Sequence, residues 1–363
     1  MYLIEESAWK VQIHPDSRAE FELAIDGALA EEKQRLENLE KRHSSEISVH
    51  DRVSDHPSAE GSLYAFNSTY VELRAGALQE KRGIITFFTL PFMYAVWVFT
   101  HDSVWSLWGC ITGEDPFSGR PTSASFFAYT LFMSLCAAGL YYVTYRFLWR
   151  WLRLENFVQR RLLIRFNRIT RQVYLHRPRY AGGIAVLSWD QVSVEAAAGK
   201  PEVAGIGTQL LVAWTQDMTG LPHSHLMFVG KTADGTSDLV NLWEFIRRYM
   251  EEGPDAVPRP RKLLTKVPWP WLSLAAPWSF LKPLWRAGQR RLVVLLSVLL
   301  SPVLLIHATG HWLSLLLGWE PRWPKIIHQA GQPGKPCPPL SVAEDWPPIP
   351  SGTSFPSQLS GRS

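Results

Sequence analysis

The chain has 363 residues, a formal net charge of only +4 and 46% hydrophobic residues. Its mean hydropathy of -0.07 averages strongly apolar runs with a polar remainder, which argues against a protein embedded throughout in a membrane. Even if two stretches of the chain span a membrane, enough residues remain for one soluble domain with tails.

Residues 1–82 form the first predicted region, which we expect to be cytoplasmic. The opening residues suit a short strand, and Ser17 followed by Glu20 has the spacing of a capping box at the start of a helix over 17–42. The second half of that helix is mostly charged, which is typical of a solvated helix, although a coiled coil shares the pattern. Residues 69–73 (TYVEL) alternate like a strand and are expected to pair with a later domain.

Residues 83–149 contain two apolar runs that predict a transmembrane hairpin. Neither 84–101 nor 123–145 contains Asp, Glu, Lys or Arg. Each run is long enough to cross most of a hydrocarbon core of about 30 Å, and only a helix or a closed barrel satisfies the backbone there. Because residues 1–16 lack a basic segment followed by an apolar one, we expect the first run itself to direct insertion.

The distribution of basic residues predicts the orientation of this hairpin. Lys81 and Arg82 come before the first run, a series of arginines follows the second run, and the loop over 102–122 is mainly acidic. Both ends of the hairpin are therefore expected to be cytoplasmic, in a multi-pass membrane protein. The arginines could also bind anionic lipid headgroups, but simple anchoring is the favoured interpretation.

Residues 150–253 are predicted to form a cytoplasmic α+β domain, because the pattern becomes strand-like from residue 162. The predicted strands are 162–167, 171–177, 183–189, 191–196, 208–214 and 225–231. Apolar residues at helical spacing then predict one amphipathic helix over 238–252, which Gly253 and Pro254 end. Antiparallel strands followed by one capping helix resemble a pleckstrin-homology-like barrel, which is an analogy of fold alone.

Three further segments complete the predicted α+β membrane protein. Residues 254–291 are rich in Pro, Trp and basic residues and suit a linker in the membrane interface. The charge-free run over 292–317 predicts a third transmembrane helix, kinked at Pro302, that begins in the cytoplasm and ends outside. Residues 318–363 are rich in Pro, Gly and Ser and are expected to be disordered.

The cysteines offer one consequence of this topology. Cys110 and Cys337 would both face the outside, where a disulfide can persist. A disordered tail has nothing to hold Cys337 in place, so two free thiols are the favoured interpretation.

No catalytic or metal-binding motif is convincing, so we expect a non-enzymatic protein without a cofactor or affinity for nucleic acid. Residues 229–232 (VGKT) end like a phosphate-binding loop, but His225 occupies the position of its first glycine and no helix follows. His176, His223 and His225 lack the Cys or acidic partners that would complete a metal site.

His307 and His311 form an i, i+4 pair inside the third apolar run. Ionisable groups within a membrane segment are candidates for function, which suggests a membrane sensor or a transport component. Neutral histidines hydrogen-bonded to a neighbouring helix explain the pair as well, and we favour that interpretation.

Several motifs together resemble one uncharacterised family of bacterial inner-membrane proteins, often encoded beside type VI secretion effectors. They are the Trp- and Arg-framed hairpin, FNR at 166–168 with VY at 173–174, WD at 189–190 and, above all, LWEFIRRYMEEGP at 242–254. The resemblance covers roughly residues 65–290. It implies an accessory or immunity role.

The leading hypothesis from the sequence is a membrane protein that binds a protein partner, such as a secreted effector or a secretion component. The helix over 238–252 should cap the sheet with its apolar face. Its remaining charges, Arg247, Arg248, Glu251 and Glu252, would form a rim for the partner. Solubility of the helix alone explains these four charges equally well.

Overall fold

A computed structural model of the chain describes residues 2–13, 51–59, 61–195, 208–233 and 236–346. The chain divides into two compact units. The helical unit contains residues 80–160 and 268–319, and the sheet unit contains the described parts of 2–79, 161–267 and 320–363. The predicted helix over 17–42 lies outside the described residues.

The secondary structure alternates between the two units along the chain. The helices are α1 (Leu3–Ile13), α2 (Ile84–Thr112), α3 (Ala124–Val143), α4 (Trp149–Leu152), α5 (Gln216–Thr219), α6 (Thr236–Glu251), α7 (Pro270–Ser273), α8 (Trp278–Arg286), α9 (Arg290–Leu299), α10 (Ser301–Leu317) and α11 (Lys325–Gln329). A turn of π-helix, Thr144–Leu148, joins α3 to α4. The strands are β1 (Leu63–Phe66), β2 (Tyr70–Ala75), β3 (Leu162–Asn167), β4 (Gln172–His176), β5 (Ile184–Ser188), β6 (Ser193–Glu195), β7 (Thr208–Trp214) and β8 (His225–Ala233).

Two long apolar helices in the helical unit correspond to the predicted hairpin. α2 has 29 residues, as does the run from α3 through α4, and each is long and apolar enough to cross a membrane. Only 17% of the most apolar window of each helix is buried in the protein, so most of its apolar side chains are exposed. α2 continues past the predicted end at residue 101 and stops at Gly113, whose φ of 79° is left-handed.

The third apolar segment is broken beside Pro302, where the sequence predicts a kink. It forms α9 and α10, which are bent by 75° relative to one another. The break falls at Leu300, two residues before a proline at the start of α10. Because Pro302 has no N–H to donate to the preceding turn, the helix cannot continue through it undisturbed.

The C-terminal end of α10 packs against the start of α2. The two backbones cross at Gly83 and Gly310, where a Cβ on Gly310 would lie only 2.7 Å from the Gly83 carbonyl oxygen. Beyond α10, Trp319 donates its main-chain N–H to Val158 and accepts one from Arg160. The end of α10 therefore lies beside the start of α2 and the end of the predicted hairpin.

The sheet unit contains an antiparallel half-barrel in a mixed α/β arrangement. The strand order is β5-β4-β3-β2-β8-β7-β6, and β1 also pairs with β2. β2 pairs with β3 along its whole length, from Tyr70↔Asn167 to Ala75↔Leu162, which confirms that residues 69–73 join the later strands. β1 was not predicted, because residues 63–66 fall in a region that reads as a polar connector.

Helix α6 covers the apolar face of this sheet, as predicted. Trp243 stacks on Trp189 at 5.4 Å between ring centroids, and Tyr249 packs on Phe66. The Tyr249 hydroxyl donates to the Asn67 carbonyl at 2.6 Å. After Glu251 the helix ends at Gly253, whose φ of 102° requires the left-handed conformation that glycine adopts most easily.

The C-terminal strap, residues 320–346, covers the opposite, polar face, so the predicted disorder of the tail is wrong for this segment. Ile327 and Ala330 form a buried cluster with Tyr174. Gln172 donates to the Pro338 carbonyl at 2.8 Å, and the main chain of Ser341 donates to the edge strand β5 at 2.9 Å. The Pro-rich composition therefore gives an extended packed chain rather than a free tail.

The N-terminal residues form helix α1 rather than the predicted strand. Trp9 is buried and packs edge-on against His223 at 4.9 Å between ring centroids. Gln12 accepts the main-chain N–H of Ser224 at 2.8 Å. These tertiary contacts, which local pattern does not reveal, stabilise the helix.

We expect Gly310→Ala to loosen α10 from α2, because the added methyl group would clash with the Gly83 carbonyl. Overpacking of this kind costs about 1–3 kcal/mol. Thermal unfolding of the purified full chain in detergent should show a lower Tm than the wild type. The matched control is Gly139→Ala, where nothing lies within 4 Å of the added Cβ. Equal Tm values for both variants would contradict the proposed close crossing.

Candidate functional site

Arg82 lies at the centre of a buried polar cluster in the helical unit. Its side chain has no solvent exposure. The guanidinium donates to the Ser314 hydroxyl and the Arg160 carbonyl, both at 2.6 Å, and also to the Glu155 carbonyl. One side chain thus joins the start of α2, the connector over 153–160 and the end of α10.

The carboxylate of Glu155 caps α2 in the same cluster. Its Oε2 accepts from the main-chain N–H and the hydroxyl of Thr86, both at 3.0 Å. A negative charge at a helix N-terminus is favourable because the first amides are unpaired and the helix dipole is positive there. The other carboxylate oxygen, Oε1, is buried without a hydrogen bond to a described residue.

The two histidines predicted as a site have different surroundings. His307 is buried beside the edge of the Phe280 ring, and neither ring nitrogen makes a hydrogen bond of normal geometry within the described part of the chain. His311 is partly buried, and its Nδ1 lies 2.8 Å from the Ser273 hydroxyl of α7. A function for the pair stays a prediction.

The four charges predicted as a rim on α6 are not all exposed. Arg247 is buried, which corrects its expected position, because it pairs at 2.8 Å with Glu244, a carboxylate without solvent exposure. Arg248 binds the same carboxylate at 2.6 Å. Burial alone would raise the pKa of Glu244. The hydrogen bonds from these arginines and from the Val53 N–H together outweigh burial and lower the pKa to about 2. This group fixes residues 51–59 against α6 through Val53 and Ser54, and a role toward a partner stays a prediction.

Exposed charges remain where α6 ends. Glu252 is bound by Arg247, yet its side chain keeps 49% exposure. Glu251 accepts from the Trp189 indole at 2.6 Å and pairs with Arg171 at 3.0 Å, and Arg171 also pairs with Asp190. The hydrogen bonds that Arg171 donates to Asp190 and Glu251 raise the pKa of its guanidinium above the usual value. We call these four residues, Arg171, Asp190, Glu251 and Glu252, the α6 rim.

The polar face of the sheet contains a buried ionic cluster that sequence reasoning missed. Glu72 accepts from Arg165 at 2.7 Å, from Lys266 at 2.8 Å and from the Trp323 indole at 2.7 Å. The Arg165 guanidinium lies 4.0 Å from the centroid of the Tyr70 ring and 4.8 Å from that of Trp323. Charged residues within two otherwise mainly apolar strands were the available signal: Glu72 and Arg74 in β2, and Arg165 in β3. Glu72 and Arg165 are paired positions in the sheet register.

Two further sequence motifs have structural roles. Residues 229–232 continue as strand β8 and do not form a phosphate-binding loop. Arg177 donates to the Nδ1 of His225 at 2.8 Å, and burial lowers the pKa of His225 to about 2, so this imidazole is neutral at physiological pH. Within the described residues, no group of three or more His, Cys, Asp or Glu side chains could hold a metal ion.

The three cysteines are free thiols. Cys110 lies 3.5 Å from the Thr130 hydroxyl in the helical unit. Cys337 belongs to the C-terminal strap and lies 3.4 Å from Gln172 of β4. The disulfide between Cys110 and Cys337 is therefore not formed, and Cys337 has a defined position.

We expect Glu72→Gln to destabilise the sheet unit strongly. Removing one charge of a buried pair leaves the other uncompensated and costs about 3–5 kcal/mol. Amide hydrogen exchange of the full chain should show faster exchange in peptides from β2 and β3. Glu252→Gln is the matched control, because an exposed pair is worth about 0–1 kcal/mol. Unchanged protection of β3 in Glu72→Gln would contradict the role of the cluster.

The same carboxylate predicts a dependence on pH. Burial alone would raise the pKa of Glu72, but Arg165 and Lys266 lower it below its usual value of 4.5. As the pH falls, the unfolded chain therefore takes up this proton before the folded chain does. The contribution of Glu72 is full above pH 4.5 and should decline below it, a decline that Glu72→Gln should lack in the same exchange experiment.

Comparison with known proteins assigns a family but no activity. The model of a family of unknown function (DUF6708) matches residues 141–332, which is more than half of the chain. No curated protein matches the chain. No solved structure matches it either. The match confirms the resemblance to an uncharacterised family, and the chain therefore belongs to the DUF6708 family of unknown function.

Proposed function

We propose that the chain is an integral membrane protein that binds a protein partner and has no catalytic activity of its own. The membrane location is supported by the two 29-residue helices, α2 and α3–α4, each of which could span a bilayer. Their exposed side chains are largely aromatic and aliphatic. In water this surface would be unfavourable, and in lipid it is solvated.

The arrangement within the helical unit supports a re-entrant third segment. Pro268 accepts a hydrogen bond from the Trp312 indole at 3.0 Å, and Ser273 bonds to His311. The chain over 274–310 therefore leaves this end of the unit and returns to it. If α9 and α10 together crossed the bilayer, the chain over 274–289 would have to cross as well, and that stretch is short and contains Lys282 and Arg286.

All four connections between the two units then leave the membrane on one side. The residues of the helical unit next to these connections, Arg82, Arg160, Pro268 and Trp319, are joined through the contacts around Ser314 and Trp312. The excess of Lys and Arg around them favours the cytoplasm of a bacterial inner membrane. The sheet unit, including the C-terminal strap, would then be cytoplasmic.

Binding of a protein partner is supported by the sheet unit. Its two sheet faces are filled by α6 and the C-terminal strap, which leaves the α6 rim as a mixed-charge surface. A charged surface of this kind contributes more to the choice and orientation of a binding partner than to the affinity of binding. The resemblance adds an accessory or immunity role toward a type VI secretion effector, and the pleckstrin-homology-like layout stays an analogy of fold.

Reporter fusions test the topology. A fusion after Gly113 should report the outside, and fusions after Lys200 and after Ser363 should both report the cytoplasm, because the re-entrant segment does not cross. An alkaline phosphatase–green fluorescent protein pair at each position gives opposite readouts. A C-terminal reporter found outside would show that α9 and α10 cross the bilayer.

A survival assay tests the partner. Cells that lack the gene and are exposed to the effector encoded beside it should lose viability, and the wild-type gene should restore it. Reversing two charges of the rim, Asp190→Lys and Glu252→Lys, should abolish rescue at equal protein level. Arg259→Glu, at an exposed position that is not one of the rim residues, should still rescue. Unchanged survival of the deletion strain would exclude the immunity role.

A further inference from the structure

One stretch of the chain has no acidic residue at all. From Ala256 to Trp319 there is neither Asp nor Glu. The part within the helical unit contains only basic charges, namely Lys282, Arg286, Arg290 and Arg291. Arg290 and Arg291 are both exposed at the start of α9. Such a surface attracts anions, because no acidic side chain of the stretch repels them.

Aromatic rings alternate with these charges along the same stretch. Trp269 and Trp271 stack at 4.6 Å between centroids, and Trp271 is 58% exposed. Trp278 and Trp285 at the two ends of α8 are each about half exposed. Leu281, by contrast, is buried and anchors the helix. Exposed indoles of this density are typical of the bilayer interface, where the ring is in an apolar layer and the N–H stays hydrated.

The basic and aromatic groups also lie together in space. The Arg290 guanidinium is 5.5 Å from the centroid of the Trp285 ring. From Leu292 onward α9 exposes aliphatic side chains, so the charges lie where an apolar surface begins. The other end of the stretch is fixed at the Arg82 end of the unit by the contact between Pro268 and Trp312. We call residues 268–291 the interfacial belt.

We propose that the interfacial belt binds anionic phospholipids in the leaflet on the Arg82 side. The proposal rests on the membrane location proposed above. Charge complementarity supports the proposal, because the belt has basic groups beside interfacial indoles and contains no acidic group that would repel a phosphate diester. Cations held at the headgroup layer enrich anionic lipid there.

Spin-labelled lipids test this directly with the full chain in phosphatidylcholine vesicles. The fraction of motionally restricted lipid is measured for labelled phosphatidylglycerol and for labelled phosphatidylcholine. We expect the wild type to favour phosphatidylglycerol by about fivefold, the factor that one surface cation supplies. Equal restriction of both lipids would overturn the belt proposal.

Variants locate the selectivity. Arg290→Gln with Arg291→Gln should bring the ratio close to one, whereas Arg290→Lys with Arg291→Lys should keep it because the charge is retained. Arg120→Gln, in the loop at the other end of the hairpin, should leave the ratio unchanged. Loss of selectivity in Arg120→Gln, or its persistence in the double Gln variant, would overturn the assignment to this belt.

Two controls separate the alternatives. Inorganic phosphate should lower the ratio no more than chloride at the same ionic strength; a specific effect of phosphate would indicate a site for the free anion and overturn the lipid assignment. Complete absence of restricted lipid in the wild type would refute the membrane location itself. Restricted lipid without selectivity would refute the belt proposal alone.

Discussion

The guanidinium of Arg82 is the contact on which the arrangement of the helical unit depends. It is buried, and its donors are directed at oxygens from the connector over 153–160 and from Ser314 near the end of α10. These oxygens lie far apart in sequence, so the ends of three segments are fixed by one side chain. In lipid, apolar helices gain little from burying apolar surface against one another, and polar contacts and close backbone packing determine which helices associate. The Gly83–Gly310 crossing supplies the close packing directly beside the polar contact.

A second constraint follows from where this contact lies. Because Arg82 comes just before α2, the oxygens that it binds must be near the same end of that helix. The end of the third apolar segment is therefore held next to Ser273, where the stretch leading into that segment begins, and composition alone cannot reveal this. A charge-free run of this length predicts a span. A proline two residues after a break, however, allows the two halves to bend. The bend allows the chain to return to the side from which it started.

The sequence predicted β3 and α6 well, because their patterns are local. β3 is an apolar run with two polar residues, Arg165 and Asn167, and α6 has apolar residues at helical spacing. Both lie within a residue or two of the predicted bounds. The sequence failed where distant contacts decide the structure. α1 is stabilised by Trp9 against His223, and the C-terminal strap by Trp323 and Ile327 against the sheet. Arg247 was assigned to the surface because charges are usually solvated, but a buried Glu244 one turn earlier draws it inside.

The chain itself covers both faces of the sheet. This restricts the surfaces of the sheet unit that a partner could contact. The polar face would be a natural docking surface, but Trp323 donates to the buried Glu72 there and the strap pairs with the edge strand β5. Displacing the strap would leave Glu72 with one donor fewer in a low-dielectric site, which is costly. The α6 rim needs no such rearrangement, because Glu252 and Asp190 are already about half exposed while their partners Arg247 and Arg171 hold them in position. A partner with complementary basic groups would bind these carboxylates without disturbing the sheet. For this reason the rim, rather than either face, is the partner surface that we propose.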